Sequence, residues 1–272
     1  MVVTSKPLRP FFSYYGGKWR DAVKLYPAPA HDRVIEPFAG SAGYSLRYHD
    51  RQVVLYEIDP VVVAVWRYLI AVKPSEILAI PDLGPDQGCD DLKVCQEARW
   101  LIGFWLNRAV SSPRKSPSAW MRAGIRPGSF WGDRVRNTIA SQVESIRHWE
   151  VHNSGYIECP DNTATWFIDP PYQVAGRHYR FGCEIIDYAA LGDWCRARQG
   201  QVIVCENEGA DWLPFRHLAS TKTTRVGRSA EVYWLNNFPD EGDVEADIEA
   251  DVDANAGTAP QTDLFEPMAD GS

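Results

Sequence analysis

The apolar and polar positions divide the chain into a strand-and-helix series that is interrupted once. Arg33-Val34-Ile35 leads into Glu36-Pro37-Phe38-Ala39-Gly40-Ser41-Ala42-Gly43, which predicts a strand, a glycine-containing turn and then a helix. Gln52 to Tyr56 predicts a second strand ending in Glu57-Ile58-Asp59-Pro60, and the apolar stretch Val61 to Val72 predicts a helix. After Asn162 the series resumes. Thr165-Trp166-Phe167-Ile168 reads as a short buried strand, Tyr188 to Arg198 as a helix, Gln201 to Cys205 as a buried strand and Glu231 to Leu235 as a late strand. Between the two parts, Lys73 to Asp91 is rich in Pro, Gly and Asp and reads as a connection. Val94, Ala98, Leu101, Ile102, Trp105 and Leu106 then recur at helical spacing, a stripe that belongs to a core. Strands alternating with helices predict an α/β fold.

One stretch carries more chemistry than the pattern around it. The strand ending at Ile168 runs into Asp169-Pro170-Pro171-Tyr172, and two prolines cannot continue a ladder of backbone hydrogen bonds. A carboxylate and an aromatic ring are therefore left at a strand's carboxyl end, where open α/β sheets bind their ligands. The prolines fix φ twice, so the Pro170 carbonyl and the Tyr172 ring are held stiffly relative to Asp169. A carboxylate acceptor, a carbonyl acceptor and a stacking ring suit a planar base with an exocyclic amino group. A strand that ends in a rigid turn, with Asp169 as a cap, is the plainer alternative.

Composition narrows the class. The chain has 272 residues, 45% of them hydrophobic and 24% charged, which is globular. It contains no apolar run of the roughly 18 to 20 residues that span a membrane, and the opening Met1-Val2-Val3-Thr4-Ser5-Lys6 lacks the apolar centre of a secretory signal. A cytoplasmic protein is expected. The six cysteines show no Cys-x-x-Cys pair and no histidine at zinc-finger spacing, so reduced thiols are expected and no metal site. The net charge of −8 is uneven: eleven acids and no Lys or Arg lie from Asp240 onward. Removing those eleven from the 36 acids leaves 25 against 28 basic side chains, a mildly basic body compatible with a polyanionic partner.

Three further groups of residues are candidates for binding. Tyr15-Gly16-Gly17-Lys18 places paired glycines, which permit close approach of a backbone, next to a cation. The turn Glu36 to Ser41 could present backbone N–H groups and a helix N-terminus to a nucleotide-type cofactor, and Glu57, with Ile58 and Asp59 beside it, stands where a carboxylate could accept from ribose hydroxyls. Caps of purely structural use would look the same. Between Arg108 and Arg136 there are seven cations, Arg108, Arg114, Lys115, Arg122, Arg126, Arg134 and Arg136, against the single acid Asp133, with Trp120, Phe130 and Trp131 interleaved. Basic loops with aromatics suit phosphate contacts and wedging between bases, although many such clusters are solvated faces. Lys222, Arg225 and Arg228 form a second basic turn.

Taken in order, these motifs resemble the Dam-like family of DNA-adenine methyltransferases over most of residues 11–239. Tyr15-Gly16-Gly17-Lys18 resembles the family's N-terminal cofactor motif, Glu36 to Ser41 its first glycine motif, and Glu57 its ribose-binding acid. Leu106-Asn107-Arg108 resembles the start of its recognition region, Asp169-Pro170-Pro171-Tyr172 its catalytic tetrapeptide, and Glu231 to Asn237 its last strand. The resemblance implies a Rossmann-like methyltransferase fold with a seven-stranded, mostly parallel sheet built from 1–72 and 163–239. It also implies an inserted DNA-recognition subdomain over 73–162, S-adenosylmethionine as methyl donor and double-stranded DNA as partner. Two departures stand out. Ala42-Gly43 breaks the expected order of small residues in the glycine motif, and the aromatic, Asn- and Gly-rich recognition segment is missing, so no target sequence carries over.

An adenine amino group is a poor nucleophile, and acceptors at Asp169 and Pro170 would favour a pyramidal nitrogen. The base would have to be flipped out and stacked on Tyr172. No covalent nucleophile is required, and the chain offers only Cys159-Pro160, the reverse of the pair typical of cytosine-C5 enzymes. Amino methylation of cytosine N4, of RNA or of a protein glutamine remains open, as does a catalytically silent DNA-binding or decoy protein of the same fold.

From Asp240 to Ala254 acids alternate with Val, Ala and Ile, a composition expected to stay disordered over 240–272. At its far end Gln261-Thr262-Asp263-Leu264-Phe265 resembles the short peptide that docks bacterial replication and repair proteins on the sliding clamp, with Gln261, Leu264 and Phe265 in the anchor positions. A chain end packing back on its own domain is the alternative. If the tail docks, the intact protein binds a bacterial clamp and Leu264→Ala/Phe265→Ala does not, while methylation of free DNA is unchanged; equal clamp signals in a pull-down would contradict this.

Overall fold

The strands anticipated from the pattern lie side by side in one seven-stranded sheet, together with two that the pattern did not mark. The computed structural model describes residues 6–19, 25–84, 86–107, 110–124, 128–174, 176–222 and 228–237. The strands are β1 (Arg33–Glu36), β2 (Gln52–Glu57), β3 (Glu150–Asn153), β4 (Ala164–Ile168), β5 (Gly200–Asn207), β6 (Arg216–Lys222) and β7 (Arg228–Leu235). Their spatial order is β3-β2-β1-β4-β5-β7-β6. The first five run parallel, while β7 is antiparallel to both of its neighbours. Val34, Ile35, Val53, Leu55, Trp166, Phe167 and Ile203 are buried, as parallel strands covered on both faces require.

Helix α1 (Pro60–Ala71) follows β2, begun by Pro60 and capped by the Asp59 carboxylate, which accepts from the Val61 N–H at 2.9 Å. It buries Val62, Val63, Val65, Trp66 and Leu69. The stripe from Val94 to Leu106 forms α3 (Gln96–Trp105), which packs on α1. Before it lies α2 (Pro74–Leu78); after it come α4 (Ala119–Arg122) and α5 (Asp133–Ala140), which packs on α2. Helix α6 (Tyr188–Arg196) precedes β5. The N-terminal segment is fastened to this frame before any ligand is considered. Phe11 and Phe12 are fully buried against Trp66, the Trp105 indole donates to the Phe11 carbonyl at 2.9 Å, and the Gln142 amide bonds both backbone polar groups of Arg9.

Part of the segment 73–162 belongs to the sheet and not to an insert: β3 pairs with β2 in parallel register and closes that edge, with residues 150–153. Described residues up to Asn236 fall in one compact unit. A second difference lies after β1. The expected helix is only a 3₁₀ turn, Ser45–Arg47, because a few residues later the chain must begin β2. That turn is too short to supply a helix dipole to a ligand. The tail from 238 onward, with Gln261, Leu264 and Phe265, lies outside the described residues, as do Arg108, Arg126 and Arg225.

The order Ala42-Gly43, unexpected in the sequence, has a steric basis. Ala42 takes φ of 50°, the left-handed region that glycine occupies without cost. Gly43 lies so close to the Lys18–Trp19 backbone that a Cβ there would meet the Trp19 nitrogen at 2.8 Å. The glycine is spent on close approach and the alanine bears the turn. Ala42→Gly should therefore raise stability by up to about 1 kcal/mol. Gly43→Ala should lower it by about 1–3 kcal/mol. Urea unfolding of the two variants checks both signs.

Candidate active site

Strand order brings four carboxylates to one edge of the sheet. Glu57 ends β2, Glu36 ends β1, Asp169 follows β4 directly, and Glu206 lies near the end of β5. Those strands are consecutive neighbours, so the acids stand in a row above their carboxyl ends. In front of the row is a cavity of about 290 Å³. Its walls include Tyr15, Gly16, Gly17 and Lys18 from the N-terminal loop, Glu36 to Ser41 from the turn after β1, Glu57 to Asp59 after β2, and Asp169 and Pro171 after β4. Pro170 and Tyr172 do not line it.

Three of the wall segments are shaped by contact with one another. A Cβ on Gly17 would stand 2.8 Å from the Ser41 hydroxyl, and one on Gly16, whose φ is 71°, would collide with the Tyr179 hydroxyl. Both carboxylate oxygens of Glu57 accept backbone N–H groups, from Gly40 at 3.0 Å and from Asp59 at 2.9 Å, so the acid ties the glycine turn to the end of β2. Glu36 accepts from the Ser45 N–H at 2.7 Å.

At the floor, Lys18 is only 7% exposed and its ammonium is shared: Nζ lies 3.2 Å from Asp169 Oδ1 and 3.7 Å from Glu231 Oε1. It also stands 4.6 Å from the centre of the Tyr172 ring, so the ring expected to receive a flipped base has a cation over one face. The Tyr172 hydroxyl donates to Glu231 Oε2 at 2.8 Å. Behind the tetrapeptide, Glu206 accepts from the Gln173 N–H and the Trp212 indole, both at 3.1 Å, and the Tyr188 hydroxyl donates to the Pro171 carbonyl. These bonds fix the path of the loop that carries Asp169.

Electrostatics follow from this burial. Desolvation pushes the Asp169 carboxyl up to about 6; Lys18 opposes the rise and Glu231 adds to it. Burial works against the Lys18 charge, but Asp169 and Glu231 outweigh it and hold the ammonium protonated. Desolvation pushes Glu36 up to about 8 despite the Ser45 N–H, and Glu206 up to about 6.

Several residues of the site had been passed over in the sequence. Tyr14, Gly43, Tyr156, Tyr179, Arg180 and Phe181 line the cavity. The Tyr156 ring stacks on Phe38 at 5.5 Å, and Arg180 pairs with Asp59 at 3.4 Å. Glu231 was read only as part of the last strand; the available signal was a lone acid in an otherwise apolar run.

The described basic residues differ in setting. Arg114, Lys115 and Arg122 are exposed, Lys115 paired with Asp90 at 2.8 Å. Arg136 is buried, where it bonds the Ile80 carbonyl, Asp82 and Asp133, so it supports the fold. Of the interleaved aromatics, Trp120 is 59% exposed whereas Phe130 and Trp131 are core. Lys222 and Arg228 are register partners at the ends of β6 and β7.

The strand order, with one antiparallel strand between β5 and β6, can now be compared with known proteins. It is the order typical of the class I methyltransferase fold. No protein-family model matches the chain, and no curated protein matches it. Among solved structures the chain is similar to an rRNA methyltransferase, AviRa, from Streptomyces viridochromogenes, at 14% identity over 82% of this chain and 86% of that one, with a TM-score of 0.37. It is similar also to a SAM-dependent methyltransferase from Neisseria gonorrhoeae, at 16% identity over 84% of this chain and 71% of that one, TM-score 0.32. A conserved hypothetical protein of Streptococcus pyogenes matches at 12% identity over 75% of this chain and 86% of that one, TM-score 0.35. Likenesses this distant carry no argument about substrate.

Because the raised carboxyls keep protons that the unfolded chain releases near 3.8 for Asp and 4.5 for Glu, stability falls as pH rises through each interval. Asp169 and Glu206 act up to about pH 6 and Glu36 up to about pH 8, each with a slope of at most about 1.4 kcal/mol per pH unit. Between pH 6 and 8 the urea midpoint should drop in the natural protein. Glu36→Gln, which keeps an acceptor for Ser45, should flatten that part of the curve; identical curves would contradict the Glu36 shift.

Proposed function

We propose that the protein transfers the methyl group of S-adenosylmethionine to the N6 amino group of an adenine flipped out of double-stranded DNA. The observation that carries this reading is Asp169, a carboxylate on the wall of a cavity that also holds the glycine turns, the strand-end acids Glu36 and Glu57, and aromatic rings such as Phe38 and Tyr156. The residues present fit the donor. Gly16, Gly17 and Gly40 let the N-terminal loop and the turn after β1 pack directly against Tyr179, Ser41 and Tyr14 and so shape the cavity wall, Glu57 and Asp59 retain lone pairs for hydroxyl or amino groups, and Phe38, Tyr156 and Ile58 offer an apolar wall to a purine. When bound, S-adenosylmethionine supplies an electrophilic methyl group on a positively charged sulfur.

The chain's own part is to prepare the nucleophile. Asp169 accepts one N–H of the adenine amino group and the Pro170 carbonyl accepts the other, which draws the nitrogen lone pair out of the ring and aims it. The prolines and the bonds from Glu206 and Tyr188 hold these acceptors still, so little reorganisation is needed when the base arrives. Tyr172 is the proposed stacking ring. A paired base is out of reach of such a site, which is why flipping belongs to the reading. Exposed Arg114 and Arg122 are proposed to contact phosphates, with Trp120 as a ring or wedge beside them. The bacterial sliding clamp remains the partner proposed for Gln261, Leu264 and Phe265.

Asp169→Ala should cut transfer of labelled methyl to DNA by about 100-fold or more while calorimetry still detects donor binding. In the natural enzyme the rate should climb with pH through about 6, as Asp169 becomes a carboxylate, and then level off. Appreciable turnover by Asp169→Ala would remove the role given to it. Arg114→Ala together with Arg122→Ala should reduce the salt slope of DNA binding by about 2, and Lys115→Ala by less because Asp90 already pairs it. An unchanged slope would place the DNA contact elsewhere.

A further inference from the structure

We infer that Glu231 is a positioning residue of this site, one that pins the Tyr172 ring and serves as the alternative counter-ion of Lys18 when Asp169 turns to the target amine. The inference rests on the reading of Asp169 as acceptor of that amine. Its own basis is geometric. Glu231 lies on β7, opposite Asn207 at the end of β5, so the one antiparallel strand next to β5 delivers a carboxylate to the same edge as the parallel strands. Each oxygen is engaged: Oε1 with Lys18 at 3.7 Å, Oε2 with the Tyr172 hydroxyl at 2.8 Å and, more loosely, the Tyr26 hydroxyl at 3.5 Å.

The need for a second carboxylate follows from the burial of Lys18. Stripping an ammonium of both water and its only counter-ion is strongly unfavourable. If Asp169 were the sole partner, each N–H it accepted from a substrate would weaken its hold on Lys18, and the two demands would compete. With Glu231 in place, a shift of about 1 Å brings Nζ to the ~2.8 Å of a charge-assisted hydrogen bond with Oε1. Lys18 stays paired, and Asp169 keeps a nearby cation that favours its ionised form. The Tyr172 hydroxyl, held by the same carboxylate, cannot drift as this happens, so the ring plane is maintained.

The charged and titratable groups facing Lys18 are Asp169 after β4, Glu231 on β7, Cys205 on β5 and Tyr179 in the loop after the tetrapeptide, with Tyr172 beneath it. Glu231→Gln keeps an oxygen for the Tyr172 hydroxyl and removes only the charge; Glu231→Asp keeps the charge and draws it back by one methylene. Steady-state methylation should show kcat at least tenfold lower in Glu231→Gln with KM for DNA changed less than threefold, and a smaller loss in Glu231→Asp. Equal kcat in Glu231→Gln and the natural protein, or Glu231→Asp no better than Glu231→Gln, overturns the inference. A readout that does not need turnover is the exchange of the Lys18 ammonium protons with solvent, followed by NMR at neutral pH on protein with ¹⁵N-labelled lysines and assigned with Lys18→Arg. Exchange should be faster in Glu231→Gln; an unchanged rate overturns the pairing. If the natural protein methylates no nucleic acid yet the Lys18 exchange quickens, the counter-ion role of Glu231 stands and the assigned reaction is what fails.

Discussion

A single buried ammonium holds this site together. Lys18 has almost no contact with water and is balanced by Asp169 and Glu231, with the Tyr172 ring beneath it. A charge in that setting is tolerable only while its partners remain, so the N-terminal loop, the loop after β4 and the antiparallel strand β7 are held to one another by the same group. The scaffold is arranged to deliver it. Phe11, Phe12 and the backbone bonds of Arg9 fasten the N-terminal segment, and Gly43 lets that segment lie directly on the turn after β1.

The sheet supplies the other half. Parallel strands expose their carboxyl ends together, and here consecutive neighbours end in Glu57, Glu36, Asp169 and Glu206. The acids do different work. Glu57 and Glu206 accept backbone N–H groups and hold loops in place, burial pushes the Glu36 carboxyl up to about 8, and of the four only Asp169 pairs with the Lys18 ammonium. Burial costs stability at every one of them, and that cost accompanies a site rigid enough to orient a substrate.

Much of this was legible before the structure. Asp169 announced itself because two prolines end a buried strand at a carboxylate, and the glycine turn because its glycines stand between an apolar strand and further small residues. The rest was hidden for physical reasons. Strand β3, Glu150–Asn153, has one apolar residue and an exposed edge, and β6 reads Arg-His-Leu-Ala-Ser-Thr-Lys, so neither shows the run or alternation that marks a strand. The helix expected after Gly43 lacked room before β2. Arg136 looks like Arg114 in the sequence, yet one is buried among carbonyl and carboxylate oxygens and the other faces solvent. Glu231 could be recognised only once the fold brought it against Lys18, 213 positions earlier in the chain.

The claim at the centre of this account is that the cavity beside Asp169 methylates an exocyclic adenine nitrogen. Its most direct test is to incubate the purified protein with unmethylated double-stranded DNA and isotopically labelled S-adenosylmethionine, digest the DNA to nucleosides and analyse them by mass spectrometry, with RNA treated in parallel. The account predicts label in N6-methyldeoxyadenosine from DNA, absent when Asp169→Ala replaces the natural protein. Label in N4-methyldeoxycytidine, in RNA alone, or in no nucleoside would contradict it.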